Sequence, residues 1–406
     1  MTHSRDFYLL FSTRIVRLFA YGFLSVVLAL YLAGIHISET QIGLMLTLTL
    51  FGDAGVSLWI TTVADRLGRR KMLLLGSMLM LLAGVAFLLT QNPVLLTLAA
   101  IIGVISPSGN EIGPFLSIEQ AGLSQIISDQ ERTKVFAWYN LAGSFATATG
   151  ALVGGWLSSA LQDSGMSEFS SYRVVLAGYA GAGMLLIFGF LALTPAVEAT
   201  HKRAQVPTRL GLHKSKKVVF KLSWLFALDA FAGGFILQSM MAFWFHVHFG
   251  ISAGMIGSIF FGANILAGIS ALLAVPMAKR FGLINTMVFT HIPSNLLLIL
   301  VPLMPNLASA IAVLLARFAI SQMDVPTRQS YVMAVVSPDE RSAASGVTSI
   351  ARSLGAAVSP SLAGLLFAVP VLASVPFYLC GGLKIVYDLL LYREFQTVKP
   401  PEEHVV

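Results

Sequence analysis

The sequence predicts an all-α integral membrane protein of twelve transmembrane helices in two pseudo-symmetric six-helix bundles. Three observations carry that expectation. Of 406 residues 56% are hydrophobic and only 11% charged, with a mean hydropathy of +0.80. Soluble proteins carry about 25% charged residues, so this chain has too few to cover a water-facing surface. Apolar runs long enough to span a bilayer recur along its whole length, and its two halves resemble each other.

A span needs roughly 20 mainly apolar residues. Segments at about 10–33, 42–62, 72–91, 94–124, 135–160, 173–194, 222–246, 254–278, 284–304, 306–333, 343–368 and 371–392 qualify. The first follows MTHSRDFYLL with no small-residue cleavage site, so it reads as an uncleaved helix. The fourth and tenth are long and polar. One set of loops carries Arg66, Arg69, Arg70 and Lys71, then Arg132 and Lys134, then Lys279 and Arg280, then Arg341. The linker adds Lys202, Arg203, Arg209, Lys214, Lys216, Lys217 and Lys221, while the opposite loops are nearly free of Lys and Arg. The positive-inside rule therefore puts both termini and the linker in the cytoplasm. The net charge of +7 is spent on this orientation, which argues against nucleic acid as a partner. The expected domains are a bundle at 1–194, a cytoplasmic linker at 195–221, a second bundle at 222–392 and a tail at 393–406.

The halves align in parallel. SDQERTKVFAWYNLAGSFATATGALVGGWL (128–157) matches SPDERSAASGVTSIARSLGAAVSPSLAGLL (337–366) without gaps, and Phe19-Ala20 matches Phe231-Ala232. Two parallel six-span halves describe a common transporter architecture.

VADRLGRRK (63–71) resembles the signature loop of the major facilitator superfamily, with Asp65, Arg66, Gly68, Arg69 and Arg70 matching and Thr61 in place of the leading Gly. With twelve spans and a central basic linker, the resemblance covers the whole chain. It implies that Asp65 acts in a conformational gate at the N-terminal end of span eleven, where a helix dipole attracts an anion. Gly150, Gly154 and Gly155 resemble the glycine-rich fifth span of the family's antiporters without its proline, and Pro360 and Gly364 hold the matching positions of span eleven. Ordinary small-residue packing accounts for them equally.

Arg14 and Arg17, Asp53, Glu111 and Glu119, Asp229, Arg317, Asp324 and Arg328, Arg352, and Lys384 and Asp388 fall inside spans. Each would cost about 2.5–3.5 kcal/mol or more facing lipid at mid-depth. They are expected to pair or to face a watery cavity, with Asn110 and the breakers Pro107, Gly113 and Pro114 lining it. Arg17, Asn110, Arg317, Asp324 and Arg352 are the cavity candidates. Glu119 aligns with Arg328, each about 13 Å from its loop. They form a gate between the halves, or each pairs within its own half. Arg17 and Asp229 show the same pattern. Glu111, Asp53 and Asp229 are the proton-coupling candidates, because a buried carboxylate without a fixed cation exchanges protons near neutral pH. Lys384 and Asp388, four apart, read as a local pair. His246 and His248 point apart on a helix, so they make a poor metal site.

The expected function is secondary transport of a small polar or amphipathic solute by alternating access, as proton-coupled export (antiport), with proton-coupled uptake (symport) as the alternative. The energy source is the proton gradient, with no cofactor and no metal. No nucleotide-binding loop or HExxH is present, and Cys380 is the lone cysteine, so an enzyme is not expected. The protein is expected to be a monomer in the lipid bilayer of a bacterial cytoplasmic (inner) membrane.

Overall fold

The computed structural model describes residues 4–110, 113–198, 213–337 and 340–397, without the side chains of residues 65, 129–134, 137 and 342. Most of the basic linker lies outside the described residues. Those described fold into α-helices with three short 3-10 turns and no strand.

Spans two, three, five and six are single helices: α3 (Glu39–Leu67), α4 (Arg69–Leu89), α7 (Asp129–Asp163) and α8 (Glu168–Leu191). So are spans eight, nine, eleven and twelve: α11 (Ala253–Phe281), α12 (Leu283–Leu300), α15 (Arg341–Phe367) and α16 (Val375–Phe395). Spans one, four, seven and ten are each broken in two. The first is α1 (Arg5–Ser25) and α2 (Leu28–Gly34), and the fourth is α5 (Pro93–Ile102) and α6 (Phe115–Ile126). The seventh is α9 (Lys216–Gly234) and α10 (Gln238–Phe249), and the tenth is α13 (Leu307–Ile320) and α14 (Asp324–Val335). Every third span is thus interrupted, a regularity finer than the half-to-half repeat. Ser4, Ser38, Asn92, Ser167 and Asn306 cap the starts of α1, α3, α5, α8 and α13 with side-chain oxygens, as helix starts free of their own acceptors require.

The exposed surface is a membrane protein's. Leu82, Leu89, Trp156, Phe188, Phe289 and Leu389 are exposed, whereas Arg17 and Glu119 are fully buried. Large apolar side chains this exposed belong in lipid.

The chain forms two compact units, Met1–Arg203 with Leu237–Phe261, and Ala204–Ile236 with Gly262–Val406. In the first unit α1 lies against α7 at backbone contact. A Cβ on Gly22 would stand 2.0 Å from the Thr147 carbonyl oxygen, and one on Gly150 would stand 2.0 Å from that of Phe19. In the second unit α9 lies against α15 in the same way. A Cβ on Gly234 would stand 2.5 Å from Ala356 O, a carbonyl whose helical donor Pro360 has removed, and Ser359 Oγ donates to Phe231 O at 2.5 Å. Gly22 aligns with Gly234, Thr147 with Ala356 and Gly150 with Ser359, so the repeat in the sequence is a repeat of these close approaches.

The units differ from the expected halves at Leu237–Phe261. Gly155 lets α11 approach α7 (its Cβ would lie 2.3 Å from Ala253 O), Ser159 Oγ accepts the Gly254 N–H at 2.9 Å, and Trp156 Nε1 donates to Ser258 Oγ at 2.8 Å. Those contacts tie the start of span eight to span five. The second unit has its own core, built around Phe226, Met287, Tyr331, Tyr387 and Phe395.

Candidate functional site

The ionisable side chains within spans concentrate on the broken ones. In the first unit Arg17 on α1 grips Glu119 on α6 with both ends of its guanidinium, Nη1–Oε1 at 2.6 Å and Nη2–Oε2 at 2.7 Å. Tyr139 Oη on α7 donates to Oε2 at 2.5 Å and Thr13 Oγ1 to Oε1 at 3.4 Å. The Phe115 ring covers the guanidinium at 4.5 Å. Both carboxylate oxygens are therefore saturated, which a fully buried carboxylate requires. Arg14 is buried too, with Nε on Tyr139 O at 2.9 Å and Nη2 on Asn140 Oδ1 at 3.2 Å. It does not reach for a membrane surface.

The second unit builds its cluster around Asp229 on α9. Lys384 on α16 donates to Oδ1 at 2.5 Å, and Arg352 on α15 to Oδ2 at 2.8 Å. Arg328 on α14 reaches Oδ2 at 3.4 Å and holds Asp324, one turn back, at 2.7 Å. Arg17 aligns with Asp229 and Glu119 with Arg328. The two ion pairs Arg17–Glu119 and Asp229–Arg328 are the same pair with the charges exchanged.

Each of these contacts lies within one unit. Arg17 holds Glu119 within the first unit, and Arg328 reaches Asp229 within the second. Lys384 and Asp388 do not pair. Lys384 goes to Asp229, and Asp388 takes His291 Nδ1 on Oδ1 at 2.9 Å and Asn295 Nδ2 on Oδ2 at 3.2 Å. Asp229 does not fit a carboxylate without a fixed cation, since three cations share it. Asp53 is half-buried on α3 and accepts the Ser57 hydroxyl at 3.3 Å. Arg317 lies over the Phe318 ring at 4.8 Å, and its Nε has no hydrogen-bond partner among the described residues. Glu111 lies outside the described residues. His291 was not singled out by sequence reasoning; a lone histidine mid-span was the signal that could have found it.

The break in span four is a built element. Val104 has a positive φ of 25° and its carbonyl accepts Tyr179 Oη at 2.8 Å. Ser106 Oγ donates to Asn110 O at 2.8 Å, and Pro107 O accepts the Ser239 N–H at 3.0 Å. Irregular backbone at this depth survives because α8 and α10 satisfy it. The Asn110 side chain is exposed.

The loop between α3 and α4 is anchored by a residue the sequence reading missed. Gly68, at φ 106°, ends one helix and starts the next. The Glu198 carboxylate, just past span six, accepts the Arg69 N–H at 2.6 Å and the Arg70 N–H at 3.2 Å. Arg69 Nη1 donates to Ala121 O and Val197 O, both at 3.1 Å, and Arg66 is exposed. The Asp65 side chain lies outside the described residues. The second unit has a matching anchor. Glu340 accepts the backbone N–H groups of His213, Lys214 and Ser215 at the start of α9, the last two at 2.9 and 2.8 Å. Burial alone would raise the Glu340 carboxyl, but hydrogen bonds from Ser215 and these N–H groups hold it at about 2. Of the remaining candidates, Gly154 packs against the Phe23 carbonyl (2.3 Å from its would-be Cβ), and Gly364 O caps α15 through the Ala368 N–H at 3.1 Å. The two histidines ending α10 have other partners: His246 Nδ1 lies 2.9 Å from Ile251 O, and His248 stacks on Trp244 at 4.6 Å.

Comparison with known proteins agrees with this architecture. An uncharacterized membrane protein of Saccharomyces cerevisiae is 30% identical, over 97% of this chain and 95% of its own length. The multidrug efflux protein YfmO of Bacillus subtilis is 23% identical, over 91% of this chain and 88% of its own. Among solved structures, a nucleoside transporter, NupG, superposes with a TM-score of 0.74 at 15% identity, covering 97% of this chain and 100% of that one. A D-xylose-proton symporter superposes with a TM-score of 0.68 at 15% identity, covering 95% and 97%. The model of the Major Facilitator Superfamily matches residues 10–360 and 224–405, and the chain belongs to that superfamily of membrane transporters.

Proposed function

We propose that this transporter exports a small polar or amphipathic solute in exchange for protons, acting as a monomer with both termini in the cytoplasm. The carrying observation is the set of ion-paired and hydrogen-bonded side chains on spans one, four, seven and ten, held on interrupted helices and turned away from lipid. Paired charges this deep are costly to keep for structure alone, since replacing a buried pair with apolar residues is often neutral or stabilising. Their natural use is to meet a polar solute and a coupling ion. Export is favoured by the relatives' names: multidrug efflux protein YfmO, and multidrug resistance protein MdtH of Proteus mirabilis at 21% identity.

The test is solute-dependent proton movement in proteoliposomes carrying the pH dye pyranine in their lumen. Ethidium, uridine and D-xylose are presented in turn. Antiport expects at least one of them to drive protons out as it enters. Protons entering with the solute would replace export by uptake, and no proton movement with any transported solute would remove proton coupling.

A further inference from the structure

We propose that His291 and Asp388 form the proton-binding dyad of this transporter, and that its protonation decides which carboxylate holds Lys384. The second part rests on the proton-coupled reading above; the first does not.

Three acidic side chains sit in the membrane part of the second unit. Asp229 is held by Lys384, Arg352 and Arg328, and Asp324 by Arg328. Asp388 has no Lys or Arg partner among the described residues; its one cationic candidate is His291. His291 and Asp388 are 5% and 1% exposed. Histidine is the side chain whose charge changes most readily near neutral pH, so the compensation of Asp388 is itself variable. With Asp388 ionised, Nδ1–H is the donor to Oδ1, which leaves Nε2 as the basic nitrogen. Nε2 has no hydrogen-bond partner among the described residues. One turn on, Ser294 Oγ and Asn295 Oδ1 are buried without a hydrogen-bond partner among the described residues, so unused polar capacity lies beside the dyad.

Every element packed against the pair contributes to its field. On α16 itself stand Lys384 and the Tyr387 ring, 6.2 Å from that of His291 and edge-on to it. Asp229 faces it from α9, Arg328 and Asp324 from α14, Arg352 from α15 and Arg317 from α13. Leaving Arg317 aside, three cations balance three carboxylates when His291 is neutral.

Lys384 and Asp388 are four residues apart on one helix face, so Lys384 can reach either Asp388 or Asp229. A proton on Nε2 makes the dyad an imidazolium–carboxylate pair and leaves Lys384 on Asp229, as observed. Loss of that proton leaves Asp388 without a cation and draws Lys384 across, releasing Asp229 on span seven from one of its three partners. The proton enters and leaves at Nε2, the Nδ1–H···Oδ1 bond persists, Lys384 exchanges its bond to Asp229 for one to Asp388, and no covalent bond other than Nε2–H changes.

The test is ring-15N histidine NMR of the full-length protein in lipid nanodiscs from pH 5 to 9, the His291 signal being the one missing in His291→Gln. The expected result is a titration within that range with Nδ1 protonated throughout. Asp388→Asn should lower its midpoint by about one pH unit or more, because an adjacent opposite charge favours the charged form by that much. Lys384→Gln should raise it. A ring that keeps one neutral form across the range overturns the proposal, and the wild-type titration decides this even if Asp388→Asn fails to fold. A midpoint unmoved by Lys384→Gln overturns the partner exchange. In proteoliposomes moving ethidium, His291→Gln should abolish acceleration by a pH gradient. If His291→Gln keeps that acceleration, the dyad loses its coupling role while proton coupling stands. If wild type moves ethidium without protons, the coupling reading falls while the titration still decides the dyad.

Discussion

Arg17 and Glu119 illustrate what a fully buried ion pair does inside one bundle. Truncating Arg17 leaves a carboxylate with two remaining hydroxyl donors and no cation, inside a bundle and away from water. Losing one partner of such a pair costs about 3–5 kcal/mol. Arg17→Ala should therefore lower the thermal unfolding midpoint of the detergent-purified protein sharply. The exchanged double variant Arg17→Glu/Glu119→Arg should regain part of the loss, because the second unit already runs this pair in the opposite sense as Asp229–Arg328. Failure of the exchange to recover any stability would mean that Tyr139 and Thr13, rather than charge, fix the geometry. The same residues show where sequence reading ran out. The alignment picked out all four charges as two matched sets, but it reports equivalence and not contact. Residues equivalent under a repeat need not touch, and here the equivalent of each partner is the partner of its equivalent. The pairing could be read only once the helix neighbours were known.

At the scale of the helix, long apolar runs made eight spans plain, and Pro107, Gly113 and Pro114 marked one of the four interruptions. The other three breaks carry weaker signals, such as Gly233-Gly234, and emerge from packing rather than local propensity. Gly150 and Ser359 are the sharpest element-scale comparison. Gly150→Ser would press a Cβ into the Phe19 carbonyl and should cost about 1–3 kcal/mol, the usual range for overpacking. Ser359→Gly should cost about 1 kcal/mol, the net worth of its bond to Phe231 O. Unfolding midpoints of the two variants compare them directly. The Glu340 anchor adds a pH dependence. Its folded value, about 2, lies below the ordinary 4.5. The stabilisation is therefore complete above about pH 4.5 and is lost as pH falls toward 2. Amide exchange at His213–Ser215, corrected for intrinsic rate, should lose protection across that window in the wild type, while Glu340→Gln should show low protection with little pH dependence.

For the whole molecule the central expectation is its orientation, and the structure makes that unusually accessible to chemistry. Ten helices among the described residues are long and apolar enough to span, and the fourth and fifth expected spans are α5 with α6 and the 35-residue α7. Alternation along this order puts the α3–α4 and α11–α12 turns on one side of the membrane. The α4–α5, α7–α8 and α15–α16 turns then lie on the other. The first set carries Lys71 and Arg280, and the positive-inside rule expects that side in the cytoplasm. The native Cys380 is buried and should stay silent to thiol reagents. Single cysteines at Gln91, Asp163 and Val371, all exposed, should react with an impermeant maleimide added to intact cells. Cysteines at Lys71 and Arg280 should react only after permeabilisation. The reverse pattern would invert the protein and with it the direction assigned to transport. A mixed pattern within one bundle would break the alternation itself, and with it the twelve-span count on which the matched halves, their exchanged charges and the dyad's place in the second unit all depend.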